Sequence, residues 1–310
     1  MAVQGFEVNS LDPAYQLRLL DGVKAATQSV FKEVFTPEGV AEMSGKVPFI
    51  PSKFTLLSND DSTKTKIGIQ DSPDVLDMDL NSTDFSFDGK YAKEARIHKS
   101  TVRTLGNKLQ GAEDLVQYLG SVAMGFVNSA FDLDAAAILK STTLNKDVSA
   151  TAVWTDLEAA RPFEDFDKLV DQVGTAGAVL WLGMDKARLL SALPAFRDED
   201  KQFDAKGGRI SLAGVAEILR RRYDLSQVVI DGTWYNEANV AQTINKSRIF
   251  DGVVWMGDPD HMLVVERSDL REVDSEFDSR TGNFSTWLTE YYDIARAENG
   301  RGAVLTGTTT

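Results

Sequence analysis

The stretch GAEDLVQYLGSVAMGFVNSAFDLDAAAIL, residues 111–139, predicts one long helix that organises the rest of the chain. Glu113 and Asp114 lie in its first turn, where carboxylates suit the positive end of the helix dipole. No proline interrupts it, so its length is about 40 Å at 1.5 Å per residue. Apolar residues recur at helical spacing on one face: Leu115, Leu119, Val122, Phe126, Leu133 and Ala137.

This apolar stripe predicts which side chains of the helix are buried. We expect Leu119, Val122 and Phe126 to pack on the core, so that Phe126→Ala costs about 3–5 kcal/mol of folding free energy. Gln117 and Asn128 lie off the stripe, and their replacement by alanine is expected to be mild.

Residues 1–46, before this helix, have the pattern of an arm. An amphipathic helix is predicted from Pro13 to Val34, with Leu17, Leu20, Val23 and Val30 on one face. Pro37 and Gly39 follow it, as residues that end a helix.

Residues 47–105 favour extended structure. Phe85 and Phe87 alternate with polar residues, and Asp88-Gly89 is a strong tight-turn signal. Large apolar residues are few for the length of this region, and strands with so few cannot build their own core. The region therefore needs a partner surface, which is typical of a protein that assembles.

The second half has an α/β pattern after a polar linker at 141–155. Helices are predicted at 163–172 after Pro162, at 186–193 with Asp185 as cap, and at 212–222 with Ser211 as cap. Strands are predicted at 178–182, 227–230, 253–256 and 261–265, with more strand structure between 286 and 306.

Composition narrows the class of protein. The 310 residues include no cysteine, which excludes disulfides, thiolate metal sites and a cysteine nucleophile. The net charge of −14 argues against free nucleic acid as a ligand, because phosphate binding needs a basic surface. We find no targeting signal and no run of roughly 20 apolar residues. These observations predict a soluble protein made in a cytoplasm.

Residues that could carry chemistry are sparse. The two histidines are His98, in an extended run, and His261, which follows Asp258 and Asp260 in a turn-forming stretch. The more specific interpretation is that these side chains bind a metal ion. The favoured interpretation is a surface turn, in which replacement of these residues by alanine changes little. The remaining candidates are acidic pairs and a short basic run at a helix end: Asp77/Asp79, Asp132/Asp134, Asp198/Asp200 and Arg220–Arg222.

The phosphate-binding, dinucleotide-binding and serine-hydrolase motifs are missing from the sequence. We therefore assign no catalytic, cofactor-binding or metal-binding residue, and we expect a non-enzymatic protein without cofactors.

The order of elements resembles that of tailed-phage major capsid proteins of the Hong Kong 97 fold. The resemblance is carried by an arm, an extended loop and a spine helix, followed by a series of segments: Val153–Asp156, Arg161–Phe166, Ala178–Asp185, Ser211–Leu219, Gln227–Gly232, Ile249–Gly257 and Trp287–Asp293. It covers nearly the whole chain as a pattern, without one diagnostic motif. A scaffolding segment at the N-terminus and a lysine–asparagine cross-link pair are not found.

The resemblance implies an α+β fold with five parts. They are an N-terminal arm (1–46), an extended β-hairpin loop (47–105), the spine helix with part of a peripheral domain (106–159), a mainly axial domain (160–265), and returning peripheral strands with a C-terminal tail (266–310). It also implies hexamers and pentamers of an icosahedral shell in the virion. Further implied partners are scaffold, portal and decoration proteins, and packaged double-stranded DNA held without sequence-specific contacts, with no membrane.

Three alternatives stay open at this point. An encapsulin-type compartment would have the same fold around a protein cargo. A soluble α/β metal-dependent enzyme would use Asp258, Asp260 and His261. Another virion component, such as a tail protein, would also lack a catalytic site.

Overall fold

A computed structural model describes residues 29–49, 81–100, 112–174, 177–200, 210–236, 245–259, 262–296 and 301–309. In chain order the helices are α1 (Val30–Val34), α2 (Ala112–Lys140), α3 (Pro162–Val173), α4 (Met184–Ala192), α5 (Pro194–Asp200) and α6 (Leu212–Tyr223). The strands are β1 (Glu38–Gly39), β2 (Ser44–Phe49), β3 (Asn81–Ser86), β4 (Tyr91–His98), β5 (Lys146–Ser149), β6 (Val179–Gly183), β7 (Gln227–Asp231), β8 (Trp234–Asn236), β9 (Lys246–Arg248), β10 (Val254–Gly257), β11 (Met262–Glu266), β12 (Glu272–Asp278), β13 (Asn283–Glu290), β14 (Tyr292–Arg296) and β15 (Gly302–Thr306).

A five-stranded mixed sheet in the order β5-β15-β10-β6-β7 lies at the centre of the second half. Strand β6, which lies between β10 and β7 in this sheet, is a continuous apolar run, as expected for a strand buried on both faces. Leu180 and Leu182 face a core formed with α3, α4 and α6, while Val179 and Trp181 face a second core formed with α1 and α2. The C-terminal strand β15 thus belongs to the same sheet as β6, β7 and β10.

Helix α2 confirms the predicted long helix and contacts two different sheets. Its first half packs through Leu119, Ala123 and Val127 on the three-stranded sheet β12-β13-β4. Its second half packs on the central sheet through Phe131 and Leu139. A buried stripe that changes partner along one helix makes α2 the link between the two halves of the fold.

The end of α2 is tied to the central sheet by one amide side chain. Asn145 donates from Nδ2 to the carbonyls of Ile138 and Ser141, both at 2.9 Å. Its Oδ1 accepts a 2.9 Å hydrogen bond from the indole of Trp255 in β10. A Cβ at Gly302 would lie 2.8 Å from Trp255 Nε1, so only glycine allows β15 to approach here.

The described part of the first half differs from its prediction in two respects. Of the predicted helix from Pro13 to Val34, α1 lies among the described residues and Pro13 to Gln28 does not, and Phe31 and Phe35, which were not assigned to its apolar face, are buried in the second core. Asp88-Gly89 does not close a hairpin, because β3 pairs with β2 while β4 pairs with β13. Phe85 and Phe87, whose alternation with polar residues predicted a strand, are buried against β11 and β14 of the same chain.

One helix cap also differs. Helix α4 begins after Gly183, and Asp185 lies in its first turn, where it accepts from the backbone N–H of Gly252 at 2.9 Å. Asp185 therefore joins α4 to the turn before β10. Ser211 caps α6 as predicted, by accepting from the backbone N–H of Gly214 at 3.0 Å.

Candidate functional site

A buried group of charged side chains joins the N-terminal segment to α2 and to the end of β13. We call it the Lys32 cluster: Ser29, Lys32, Asn128, Asp132, Arg271, Glu290 and Tyr292. Lys32 donates to Asn128 Oδ1 at 3.1 Å, and its ammonium lies 3.6 Å from Glu290 Oε2 and 3.3 Å from the centre of the Tyr292 ring. Lys32 therefore holds α1 against α2, β13 and β14.

Arginine and serine complete the cluster on either side of Lys32. Arg271 donates from Nε to Glu290 Oε1 at 2.6 Å, and from its second nitrogen to the same oxygen and to the Tyr292 hydroxyl. Ser29 donates its hydroxyl to Asp132, and it also accepts from the backbone N–H of Lys32, which makes it the cap of α1. A cavity of about 230 Å³ lies beside these groups.

Burial is the largest cause of the pKa shifts of Lys32 and Asp132. Loss of hydration lowers the pKa of Lys32 to about 8, against the opposing attraction of Glu290 and Asp132. Loss of hydration also raises the pKa of Asp132 to about 6, although the hydrogen bond from Ser29 and the charge of Lys32 act the other way. Both groups are thus close to changing charge near neutral pH.

The raised pKa of Asp132 predicts a dependence of stability on pH. Its usual pKa is 3.8, so between about pH 4 and 6 the folded chain binds a proton that the unfolded chain releases. Stability is lost as the pH rises through that range, and Asp132→Asn should remove the loss. We expect the native chain to lose about 1–3 kcal/mol relative to the variant between pH 4 and 6, because a pKa difference of one is equivalent to about 1.4 kcal/mol.

Urea unfolding of both proteins at pH 4, 5 and 6 measures this difference. Parallel stability curves for the native chain and Asp132→Asn would show that Asp132 titrates normally. For Lys32 the sign is opposite: its lowered pKa means that the unfolded chain binds more protons between about pH 8 and 10.5, so this contribution rises with pH.

A second buried carboxylate holds the segment that precedes α3. Asp165 accepts from the backbone N–H of Thr151 at 2.6 Å and from the indole of Trp154 at 2.9 Å. Both Asp165 and Trp154 are fully buried, and Lys168 lies 3.6 Å from the carboxylate. The tryptophan and the helix after Pro162, which carried part of the family resemblance, are therefore in direct contact.

Among the described residues, those that the sequence singled out for chemistry do not come together. His98 ends β4, is exposed, and contacts the hydroxyl of Ser100 at 2.7 Å. Asp260 and His261 lie outside the described residues. Asp258 is a correction: it was expected in a surface turn, but it accepts from Arg301 at 2.7 Å and both side chains are largely buried.

Of the acidic pairs, the structure shows one to be separated. In Asp132/Asp134, Asp132 faces the Lys32 cluster, whereas the exposed Asp134 accepts from the Tyr91 hydroxyl at 2.6 Å. Asp77/Asp79 lies outside the described residues, and Asp198/Asp200 lies on α5. Within the described part of the chain, no three acidic, histidine or cysteine side chains are grouped as metal ligands.

The basic run at the end of α6 takes part in ion pairs. Arg221 contacts Glu217 at 3.1 Å, and Arg222 reaches Glu199 on α5 at 2.8 Å. Arg222 also lies over the ring of Phe163, at 4.3 Å from its centre. The run therefore helps to pack α6 on α3 and α5.

The outer face of α2 corrects two expectations. Phe126 is 56% exposed, and the ammonium of Lys93 lies 4.8 Å from the centre of its ring, whereas Asn128 is buried in the Lys32 cluster.

The segment from Gln117 to Lys140 is, by length and composition, apolar enough to cross a membrane, contrary to the expectation that no stretch would be. Half of it is buried inside the protein, as in a core helix.

Comparison with solved structures identifies the fold. A phage-related protein from Bordetella bronchiseptica RB50 is similar with a TM-score of 0.65 and 14% identity, over 97% of this chain and 99% of that one. A prophage protein of E. coli CFT073 assigned as a capsid protein gives 0.57 and 11%, over 96% and 99%. A virus-like particle from Pyrococcus furiosus gives 0.53 and 13%, over 94% and 97%.

Comparison by sequence finds no counterpart: no family model matches the chain, and no curated protein does. The structural likeness nevertheless extends over nearly the whole of each chain. The predicted α+β capsid fold is therefore confirmed.

Proposed function

We propose that the chain is the major capsid protein of a tailed phage, a shell subunit of the Hong Kong 97 type. The observation that carries the proposal is the likeness over nearly the full length to a prophage capsid protein and to a virus-like particle. A non-enzymatic role is part of this proposal.

The proposed division into parts follows the helices and sheets. Helix α2 is the spine, and the sheet β12-β13-β4 beneath its first half is the core of the peripheral domain. The central sheet with α3 to α6 forms the axial domain, to which β5 and β15 are added because they pair within that sheet. The arm (1–46) and the extended loop (47–105) complete the subunit.

The proposed partners are other copies of the chain, in hexamers and pentamers of a virion shell made in the host cytoplasm. Scaffold, portal and decoration proteins are further proposed partners. Packaged DNA is enclosed without sequence-specific contacts, because a subunit of net charge −14 repels phosphate on average. The chain needs no cofactor for this role.

Electron microscopy of the purified protein tests the function. We expect closed shells, together with a poorly stable or polydisperse unassembled fraction on sizing with light scattering. A thermostable monomer of 34.1 kDa that never assembles would overturn the proposal. Shells from infected or induced cells that contain protein instead of DNA would assign the encapsulin-type role, and tubes would assign a tail component.

A further inference from the structure

One side of α2 has an exposed surface without charge. We call it the uncharged stripe, and its residues are exposed or half-buried: Tyr118, Ser121, Val122, Gly125, Phe126, Ser129, Ala130, Leu133 and Ala137. From Tyr118 to Ala137 the stripe extends over 20 positions of the helix, which is about 30 Å. The two large side chains, Tyr118 and Phe126, are each more than half exposed, at 51% and 56%.

The stripe is unusual for its place in this protein. Charged residues make up 26% of the chain, and an exposed helix face normally carries many of them. On α2 the acidic residues lie elsewhere, since Asp132 is buried and Asp134 accepts from Tyr91 at the edge. Exposed apolar surface that is contiguous along a helix marks a contact with another macromolecule.

Charge favours a second copy of this chain as the occupant. Copies with a net charge of −14 repel one another, so their contact has the lowest cost where carboxylates are few. Lys93 lies at the rim of the stripe, with its ammonium over Phe126, and a cation at this position can pair with a carboxylate of a neighbouring copy. A lipid surface fits less well, because the rim also holds Asp134 and the end of the stripe holds Lys140.

The size of the stripe favours a contact within a larger assembly. A strip of about 30 Å by 10 Å buries about 600 Å² over two copies, whereas a stable isolated pair needs about 1,200 Å² or more. Such a contact is weak alone and becomes effective when each copy makes several. Gly125, Ser129 and Ala130 leave room for another backbone to approach.

We infer that the uncharged stripe of α2 packs against a neighbouring copy of this chain in the assembled particle, with Phe126 as its main anchor. The inference rests on the proposed shell function and assigns a subunit contact to named residues. The stripe is therefore covered in particles and open in the unassembled subunit.

Charge placed on the stripe tests the inference. Phe126→Glu should lower the particle yield at least tenfold, counted by electron microscopy, while the soluble subunit keeps its native circular dichroism and melting temperature. Leu157→Glu is the matched control, since Leu157 is 50% exposed and lies outside α2, in the segment that precedes α3, and it should assemble normally. Normal assembly of Phe126→Glu, or equal loss in both variants, would overturn the inference.

Thiol protection provides a second measurement, because the native chain has no cysteine. Ser129→Cys should react with a maleimide at least tenfold more slowly in particles than in subunits. Equal rates in the two states, protection already present in the subunit, or protection only with lipid vesicles would each refute contact with a second copy. If the native chain itself forms no particles, the proposed function fails instead, which separates the two failures.

Discussion

Replacing Glu290 by alanine is expected to lower the free energy of unfolding by about 3–5 kcal/mol, because it leaves buried cations without their counter-ion. Glu290 is 2% exposed and lies between Lys32 and Arg271. The two cations respond differently to its loss. Lys32, with a pKa already lowered to about 8, can release its proton, whereas a guanidinium stays charged and carries the cost of burial.

Urea unfolding of the unassembled subunit at pH 7 measures this loss. The matched control is Glu94→Ala, since Glu94 pairs with Arg96 at 2.8 Å on the surface of β4, with both side chains well exposed. We expect the control to change stability by less than about 1 kcal/mol. Adding Arg271→Ala to Glu290→Ala should recover part of the loss, and equal losses in Glu290→Ala and Glu94→Ala would contradict the assigned burial.

The Lys32 cluster joins parts of the chain that are distant in sequence. Its members are Ser29 and Lys32 at α1, two residues from the middle of α2, Arg271 just before β12, and the residues that end β13 and begin β14. The cluster therefore fixes α1 to the body of the subunit, and its loss removes the contacts that hold α1 on α2 and on these strands.

The sequence identified α2 and the central strands because these elements have strong local patterns. A run of 29 helical residues without proline, and an apolar run such as Val179–Gly183, specify a helix and a buried strand without reference to their partners. β12 was missed because its sequence EVDSEFD is mostly polar, and only Val273 and Ser275 are buried. β12 is fixed by its pairing with β13, which lies next along the chain but leaves no local signal.

The Lys32 cluster could not be predicted from the sequence for a related reason. Lys32, Asp132 and Glu290 are separated by 100 residues or more, and each looks like an ordinary surface charge where it stands. Ser29 and Lys32 also fell within a predicted amphipathic helix whose apolar face was assigned to other residues. Long-range pairing of charges depends on the fold, which composition and periodicity do not specify.

The buried face of α2 was predicted only in part, since periodicity fixes a helix but not which sheet each turn will meet. Leu119 is buried on the sheet β12-β13-β4, but seven residues later Phe126 is 56% exposed and contacts that sheet through the ammonium of Lys93. Five residues further on, Phe131 lies in the second core, among aromatic rings from α1, β4 and β14, and is fully buried. The two phenylalanines of one helix therefore provide a direct comparison.

Phe131→Ala is expected to cost about 3–5 kcal/mol, and Phe126→Ala less than about 0.5 kcal/mol, in the unfolding of the subunit. The Phe131 ring lies 6.0 Å from Phe31, 5.8 Å from Tyr91 and 5.3 Å from Tyr292, between centres, so its removal opens a cavity among aromatic rings. It also removes the ring that lies 4.6 Å from the Lys32 ammonium. Removal of Phe126 opens no cavity, because more than half of that side chain is in water.

Thermal and urea unfolding of the two variants, with particle counts measured in parallel, separate the two roles. Phe131→Ala should reduce soluble yield and assembly together, since the subunit itself is weakened. Phe126→Ala should keep the native unfolding midpoint while the particle count falls. If Phe126→Ala were the less stable of the two, the packing of α2 described above would be wrong, and with it the assignment of its outer face to subunit contact.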